Sequence, residues 1–297
     1  MKIRFEYFWG GFDPKDFFLL KYFNSPEIVT SDNYDYLILS VFPNKNININ
    51  KFAKIIVFNG EHPDYIQTRI VALGIKPHIM IGFVDNNEYD FSTIKLYYPL
   101  WLLYYSDINQ STIDEIELKK NISIQDLCNK KFCCLINSHD INLTRTPIYN
   151  ELSKINKIDC PGLLLNNINR QLVGSSSDDK INFMNSYIFN ICSENRYGSG
   201  YLTEKLPQAL NSACIPIYHG DLTDFHKKIF NQDRIILQIK LDSTSMVELK
   251  KTIKKLYGNK NHLFKFYKKP IFNSQALTEI NKFKEDFEKK IIQLINI

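Results

Sequence analysis

Short apolar runs alternate with stretches of helical period along most of the chain. Lys2–Trp9 (KIRFEYFW), Tyr36–Phe42 (YLILSVF), Lys54–Phe58 (KIIVF) and His78–Val84 (HIMIGFV) read as strands, and Pro14–Phe23 (PKDFFLLKYF) reads as a helix. From Ser106 to Lys131 the chain turns polar and charged, which reads as a linker. The pattern then restarts. Phe132–Ile136, Tyr187–Cys192, Ile215–Tyr218 and Arg234–Ile239 read as strands; Arg145–Ile155, Glu204–Ser212 and Thr223–Phe230 read as helices. Ser245 and Glu248 have capping-box spacing before a further helix to Tyr257, with Gly258 as its stop. Strands that alternate with helices predict parallel sheets covered by helices. The expected organisation is an N-terminal α/β domain over 1–125, a second over 126–275 and a C-terminal helix over 276–297.

That last helix changes the charge picture. The chain of 297 residues carries a formal +5, but Lys250–Ile297 holds 12 lysines against 4 acidic residues, so the remainder is slightly acidic. Leu277, Ile280, Phe283, Phe287, Ile291 and Leu294 recur at spacings of three and four, leaving Lys282, Lys284, Lys289 and Lys290 off that face. This predicts an amphipathic helix packed on the body, with a basic side that is either simply solvated or in peripheral contact with an anionic surface, membrane or partner. Lysine outnumbers arginine 31 to 6 and no nucleic-acid motif is present, which argues against nucleic acid.

Other compositional features narrow the setting. No apolar run reaches membrane-spanning length and the N-terminus lacks signal-peptide layout, so the expectation is a cytoplasmic protein. The six cysteines form no Cys-x-x-Cys pair, and several sit in apolar runs, as reduced buried thiols do. The six histidines show no metal-ligand spacing, so no metal site is expected. Three sequons, at Asn109, Asn121 and Asn142, carry little weight in a chain with 30 asparagines.

Candidate chemistry gathers in three places. The densest is Ser193–Lys205 (SENRYGSGYLTEK), between a strand and a helix. Ligands of open α/β sheets bind at such joints, where glycines permit close backbone approach and a helix start favours anions. Gly198, Gly200 and Lys205 suit a diphosphate there, while Tyr201 and Glu204 can meet ribose or sugar hydroxyls. The bland alternative is a polar turn with a capped helix. No Walker or Gly-x-Gly-x-x-Gly motif points to ATP or NAD. The second place is Phe58-Asn59-Gly60-Glu61, where a strand-end carboxylate can act as a general base or simply be solvated. The third is Arg145, behind the Ser138-His139-Asp140 loop. A cation at a helix start is unfavourable unless an anion binds beside it.

These residues resemble glycosyltransferase family 10, the α1,3/α1,4-fucosyltransferases. The resemblance lies in Ser193-Glu194-Asn195, then Gly198 to Lys205, then Ala213-Cys214-Ile215-Pro216-Ile217-Tyr218-His219-Gly220. Asn137–Arg145, Phe58–Glu61, Lys2–Gly10, Ile81–Phe83 and Tyr97–Leu102 extend it almost end to end, closest to the soluble bacterial type. It implies a GT-B fold of two Rossmann-like domains with a cleft between them. It implies inverting transfer of L-fucose from GDP-fucose to an oligosaccharide, α1,3-type, with no obligatory metal and a divalent cation at most stimulatory. Carried over, Glu61 is the general base and Arg145 and Lys205 neutralise the diphosphate. Asn195, Tyr201 and Glu204 contact ribose and fucose; the oxocarbenium-like transition state of such a transfer also favours a nearby carboxylate, which gives Glu204 a further, catalytic role. The acceptor would meet loops such as 61–68 and 85–92. Departures are His139 and His62, where relatives carry Asn, and Arg196, an added cation. A GT-B transferase using another GDP-sugar and a non-catalytic nucleotide-sugar or glycan-binding module are the alternatives.

Overall fold

The protein is described here from a computed structural model, covering residues 1–84, 93–169, 171–172, 177–198 and 200–295. The 85–92 loop and Ser199 lie outside the described residues. The chain divides into two units, Met1–Tyr104 with Ile280–Ile297, and Tyr105–Glu279.

The first unit is built on a six-stranded sheet. Its strands are β1 (Lys2–Glu6), β2 (Glu27–Ile28), β3 (Tyr36–Leu39), β4 (Lys54–Asn59), β5 (Ile79–Gly82) and β6 (Ile94–Tyr97), in the order β2-β1-β3-β4-β5-β6. All neighbouring pairs are parallel. The central strands are apolar over nearly their whole length and buried, as a sheet covered on both faces requires. Strand order reverses between β1 and β3, which makes their carboxyl ends the switch point of this sheet.

The second unit holds β7 (Lys131–Cys134), β8 (Ile158–Asp159), β9 (Tyr187–Ile191), β10 (Ile215–Tyr218) and β11 (Ile236–Leu237), ordered β11-β10-β9-β7-β8 and again parallel. Here the order reverses between β7 and β9. Cys133, Cys134, Cys160, Cys192 and Cys214 are buried free thiols, so the cysteines serve as small apolar residues.

Several elements depart from the sequence pattern. The first strand stops at Glu6 because Tyr7 takes a left-handed conformation (φ 65°) and turns the chain. Pro14–Phe23 is two 3₁₀ turns, Pro14–Asp16 and Leu20–Tyr22. They are interrupted at Phe17, whose extended backbone sends its buried ring against Phe5, Phe8 and Phe58. The polar stretch read as a linker forms two capped helices, Gln110–Leu118 and Ile124–Asn129, which bury Ile113, Ile116 and Leu127. Glu117 accepts backbone N–H groups from Ile271 and Phe272 at 2.7 Å each. This stretch therefore belongs to the second unit, and the division falls at Tyr105 where the sequence reading placed it after residue 125. The Ser245/Glu248 capping box is replaced by Asp242, which accepts from the Ser245 N–H at 2.9 Å and starts the helix Ser243–Tyr257. Gly258 ends that helix in right-handed geometry.

The last helix, Ala276–Ile295, is amphipathic as expected. Ile280, Phe287, Ile291 and Ile295 are buried in the first unit, where Phe287 packs against Phe18, Tyr22 and Tyr98. Lys282, Lys289 and Lys290 are exposed, and Lys284 is half-buried. Among the described residues no helix is long and apolar enough to cross a membrane.

Candidate functional site

The switch point of the second sheet opens into a cavity of about 200 Å³. Its walls come from the loops that leave β7 and β9, from the helix Ser177–Met184 and from the helix Lys205–Asn211. Of the residues singled out in the sequence, Arg145, Asn195, Glu204 and Lys205 all line it, and so does His139.

Arg145 is 2% exposed, an unusual place for a guanidinium, and almost every donor has a partner. Nη1 donates to the His139 carbonyl at 2.8 Å, and Nη2 to the Asn195 Oδ1 at 2.6 Å and the Ser193 carbonyl at 3.3 Å. The Asn137 amide, turned with its oxygen to the guanidinium, accepts from Nε at 3.0 Å. Burial lowers the guanidinium's pKa from its ordinary value, opposed by the charges of Asp140 and Glu194. The loop that delivers Arg145 is tied down by Asp140. This carboxylate accepts from the backbone N–H groups of Thr144, Arg145 and Thr146 and from the Thr146 hydroxyl. Gly162 completes the seat, because a Cβ there would lie 2.0 Å from the Asn137 carbonyl oxygen.

Lys205 lies across the cavity. Its Nζ donates to Thr203 Oγ1 at 2.9 Å and stands 3.4 Å from Glu194 and 3.5 Å from Glu204. Burial pushes the Glu204 carboxyl up, but the Lys205 ammonium and further donors outweigh it and hold it below the usual carboxylate range. Lys180, which the sequence reading passed over, adds a third cation to the wall.

Glu194 is the residue that mattered and was not singled out for a role. It is fully buried, and it accepts from the Thr203 N–H at 2.9 Å and from the Thr203 and Tyr218 hydroxyls at 2.6 and 3.3 Å. Gly220 leaves room for this, since a Cβ there would stand 2.3 Å from the Tyr218 hydroxyl. Burial raises the Glu194 carboxyl, with Lys205 pulling against it. Its work is internal: it fixes Thr203 and Lys205, the residues that shape the loop between β9 and the next helix. The signal available was its place three residues after the buried, largely apolar strand Tyr187–Ile191, where a charged side chain must be paired.

Two expected participants stand elsewhere. Tyr201 is 1% exposed and is not among the lining residues, although its phenol is close enough to bear on the charge of Arg145. Glu61 belongs to the first unit, at the end of β4, and is half-buried. Its N–H donates to Asn59 Oδ1 at 3.0 Å, and Asn59 in turn donates to the Phe83 carbonyl at 2.8 Å. His62 pairs with Asp64 at 3.2 Å. Among the described residues no cluster of His, Cys, Asp and Glu is arranged to hold a metal.

Comparison with known proteins meets this geometry from outside. The model of the C-terminal part of glycosyltransferase family 10 (fucosyltransferase) matches residues 127–287, more than half of the chain. The α-(1,3)-fucosyltransferase FucT of Helicobacter pylori is 32% identical over 108 residues, 35% of this chain. The match spans only 22% of that relative's own length. Among solved structures, a crystal structure of an α1,3-fucosyltransferase superposes with a TM-score of 0.68 at 21% identity, covering 98% of this chain and 90% of that one. One with GDP-fucose gives 0.62 at 20% identity, covering 97% and 90%. One with GDP gives 0.65 at 21%, covering 98% and 90%. The likeness shows the fold: two Rossmann-like units of the GT-B class, as expected from the sequence.

Proposed function

Because the chain belongs to glycosyltransferase family 10, the fucosyltransferases, we propose that it transfers L-fucose from GDP-fucose to an oligosaccharide hydroxyl, forming an α1,3-type linkage with inversion. One observation carries the reading: a buried arginine, a lysine and a carboxylate converge on one cavity at the switch point of the second sheet. That arrangement suits a sugar nucleotide, whose diphosphate needs cations and whose hydroxyls need acceptors.

In this reading Arg145 and Lys205 bind the diphosphate and stabilise its charge as the glycosidic bond breaks. Arg145 is held by four oxygens before the donor arrives, so little reorganisation is needed. Asn195 stays hydrogen-bonded to Arg145 and contacts the donor from the same wall. Glu204, kept ionised beside Lys205, faces the ribose and fucose and favours the oxocarbenium-like transition state. Tyr201 acts through Arg145, on whose charge its phenol bears. Glu61 takes the proton of the acceptor hydroxyl, its carboxylate presented at the end of β4 by the Asn59 turn. A divalent cation is at most stimulatory. The five buried free thiols suit a reducing compartment such as the cytoplasm. The apolar face of the last helix is spent on the first unit, so any membrane contact would use its lysines alone.

The test is a thermal-shift screen with GDP, GDP-fucose, GDP-mannose and UDP-sugars, followed by transfer to a glycan panel. GDP and GDP-fucose should raise Tm, and fucose should appear on the acceptor. Stabilisation by UDP-sugars alone, or GDP-mannose as the sole working donor, would overturn the assignment.

A further inference from the structure

One arginine of the first unit is fixed in place without a carboxylate. Arg69 ends the helix Asp64–Arg69, which starts three residues after Glu61. Its guanidinium carbon lies 3.8 Å from the centre of the Tyr65 ring, one turn back on the same helix, and 5.6 Å from that of Phe42. Nη1 donates to the Val41 carbonyl at 3.2 Å. A guanidinium has five N–H donors, and this bond is the one that finds an acceptor among the described residues. Arg4, in the same unit, pairs instead with Glu6 and Asp32. A cation in the last turn of a helix favours the helix dipole, but that calls for neither the two rings nor the Val41 carbonyl.

The position brings this group near the acceptor's base. The extended chain of β3 runs on past Leu39, since the Ser40 and Phe42 N–H groups donate to the Glu6 and Tyr7 carbonyls at 3.1 and 3.0 Å. Leu39 is level with Val57 of β4, so Val41 is level with Asn59, one strand spacing or about 5 Å away. Asn59 Oδ1 accepts the Glu61 N–H at 3.0 Å. The guanidinium and the Glu61 backbone therefore stand at the same edge of one sheet, about 10 Å apart.

We infer that Arg69 binds an anionic group on the acceptor glycan, a carboxylate or a phosphate, and so selects acidic acceptors over neutral ones; this rests on Glu61 as the acceptor's base. A planar fork of N–H donors takes either anion through two parallel charge-assisted bonds. Stacking on Tyr65 already holds the plane of the fork, so little rotamer freedom is left to lose when the anion binds. A neutral hydroxyl gains less from the same group, because only one partner then carries charge.

Two matched pairs of acceptors provide the test. One is a heparosan oligosaccharide, in which glucuronic acid adjoins GlcNAc, against its carboxyl-reduced form, in which glucose replaces the acid. The other is a GlcNAc oligosaccharide with and without a 6-phosphate. In at least one pair the charged member should show a kcat/KM about tenfold higher, and about 0.5 M NaCl should erase that preference. Arg69→Gln removes the charge but keeps a donor for Val41. It should bring the charged acceptor down to the level of the neutral one, through KM, with the neutral acceptor and the GDP-fucose KM within twofold. Arg69→Lys, a cation without the fork, should recover part of the loss. The anion that loses more in Arg69→Gln is the one Arg69 reads. Equal kcat/KM within both pairs, or equal losses for charged and neutral acceptors in Arg69→Gln, overturns the role of Arg69 while leaving the transferase reading intact. If no fucose is transferred at all, calorimetry of the donor-free protein with both pairs still decides. Tighter binding of a charged member that is lost in Arg69→Gln upholds the anion site, and equal binding overturns it.

Discussion

The two sheets end their key strands in the same way and use the result differently. In the first unit Asn59 closes β4, and Gly82, at the end of the neighbouring β5, presses on its carbonyl with a Cβ position only 2.1 Å from the oxygen. In the second unit Asn137 follows β7, and Gly162, just beyond the neighbouring β8, does the same at 2.0 Å. In both, the asparagine side chain then holds a charged residue's loop: Asn59 binds the Glu61 N–H, and Asn137 binds the Arg145 guanidinium. One device thus presents an anion in one half and a cation in the other. Around the cation the structure is buried, ionic and rigidly paired. Around the anion it is shallower and aromatic. The first surface suits charge, the second suits rings and hydroxyls.

The sharpest way to separate the halves is to remove the charge each presents. Glu61→Gln should cut transfer by about 1,000-fold, while GDP affinity measured by calorimetry stays within twofold; a parallel loss of GDP binding would show that the halves do not divide the work. Next come the glycines. Gly82→Ala puts a methyl group into a backbone carbonyl at φ 107°, and Gly162→Ala meets a similar clash, so each should cost about 2–4 kcal/mol. Both tryptophans lie in the first unit. Emission-detected melting should therefore register Gly82→Ala strongly, and hydrogen exchange over 131–218 should register Gly162→Ala.

Lys205→Ala should weaken GDP about 10–100-fold through the lost charge-assisted contact. Unchanged affinity would refute its diphosphate role. The smallest effect concerns acid. His226 is fully buried, and burial pulls its pKa down to about 3. A histidine neutral when folded and ordinary when unfolded contributes stability above pH 6.5 that is lost as pH falls toward 3, about 2 kcal/mol by pH 5. His226→Gln keeps a side chain able to close the capping box with Thr223 and should flatten that slope in denaturant titrations.

How much of this was legible beforehand follows a physical line. The parallel α/β traffic was legible because buried strands are apolar along their length, as in Tyr36–Leu39 and Tyr187–Ile191. The positions of Arg145, Asn195, Glu204 and Lys205 on one cavity were anticipated because loops after parallel strands converge. The direction of a loop side chain obeys no period. Glu194 turns inward because Thr203 and Tyr218 receive it, and Tyr201 is enclosed; the apolar strand before Glu194 signals that it must be paired, but not with which partners, and nothing local encloses Tyr201. Short strands such as Glu27–Ile28 and Ile158–Asp159 carry too few residues for a pattern. The helices over 110–129 were hidden because their buried faces consist of one or two residues among polar and charged ones.

The first unit is assembled from both extremities of the numbering, 1–104 and 280–297, while the second is one continuous stretch. During synthesis residues 1–104 leave the ribosome long before Phe287, Ile291 and Ile295 do. Until then Phe18, Tyr22 and Tyr98 lack the rings that cover them. The nascent first unit must therefore wait, greasy and unfinished, for the final stretch of chain. A premature stop near residue 279 should yield aggregates instead of a half-active enzyme.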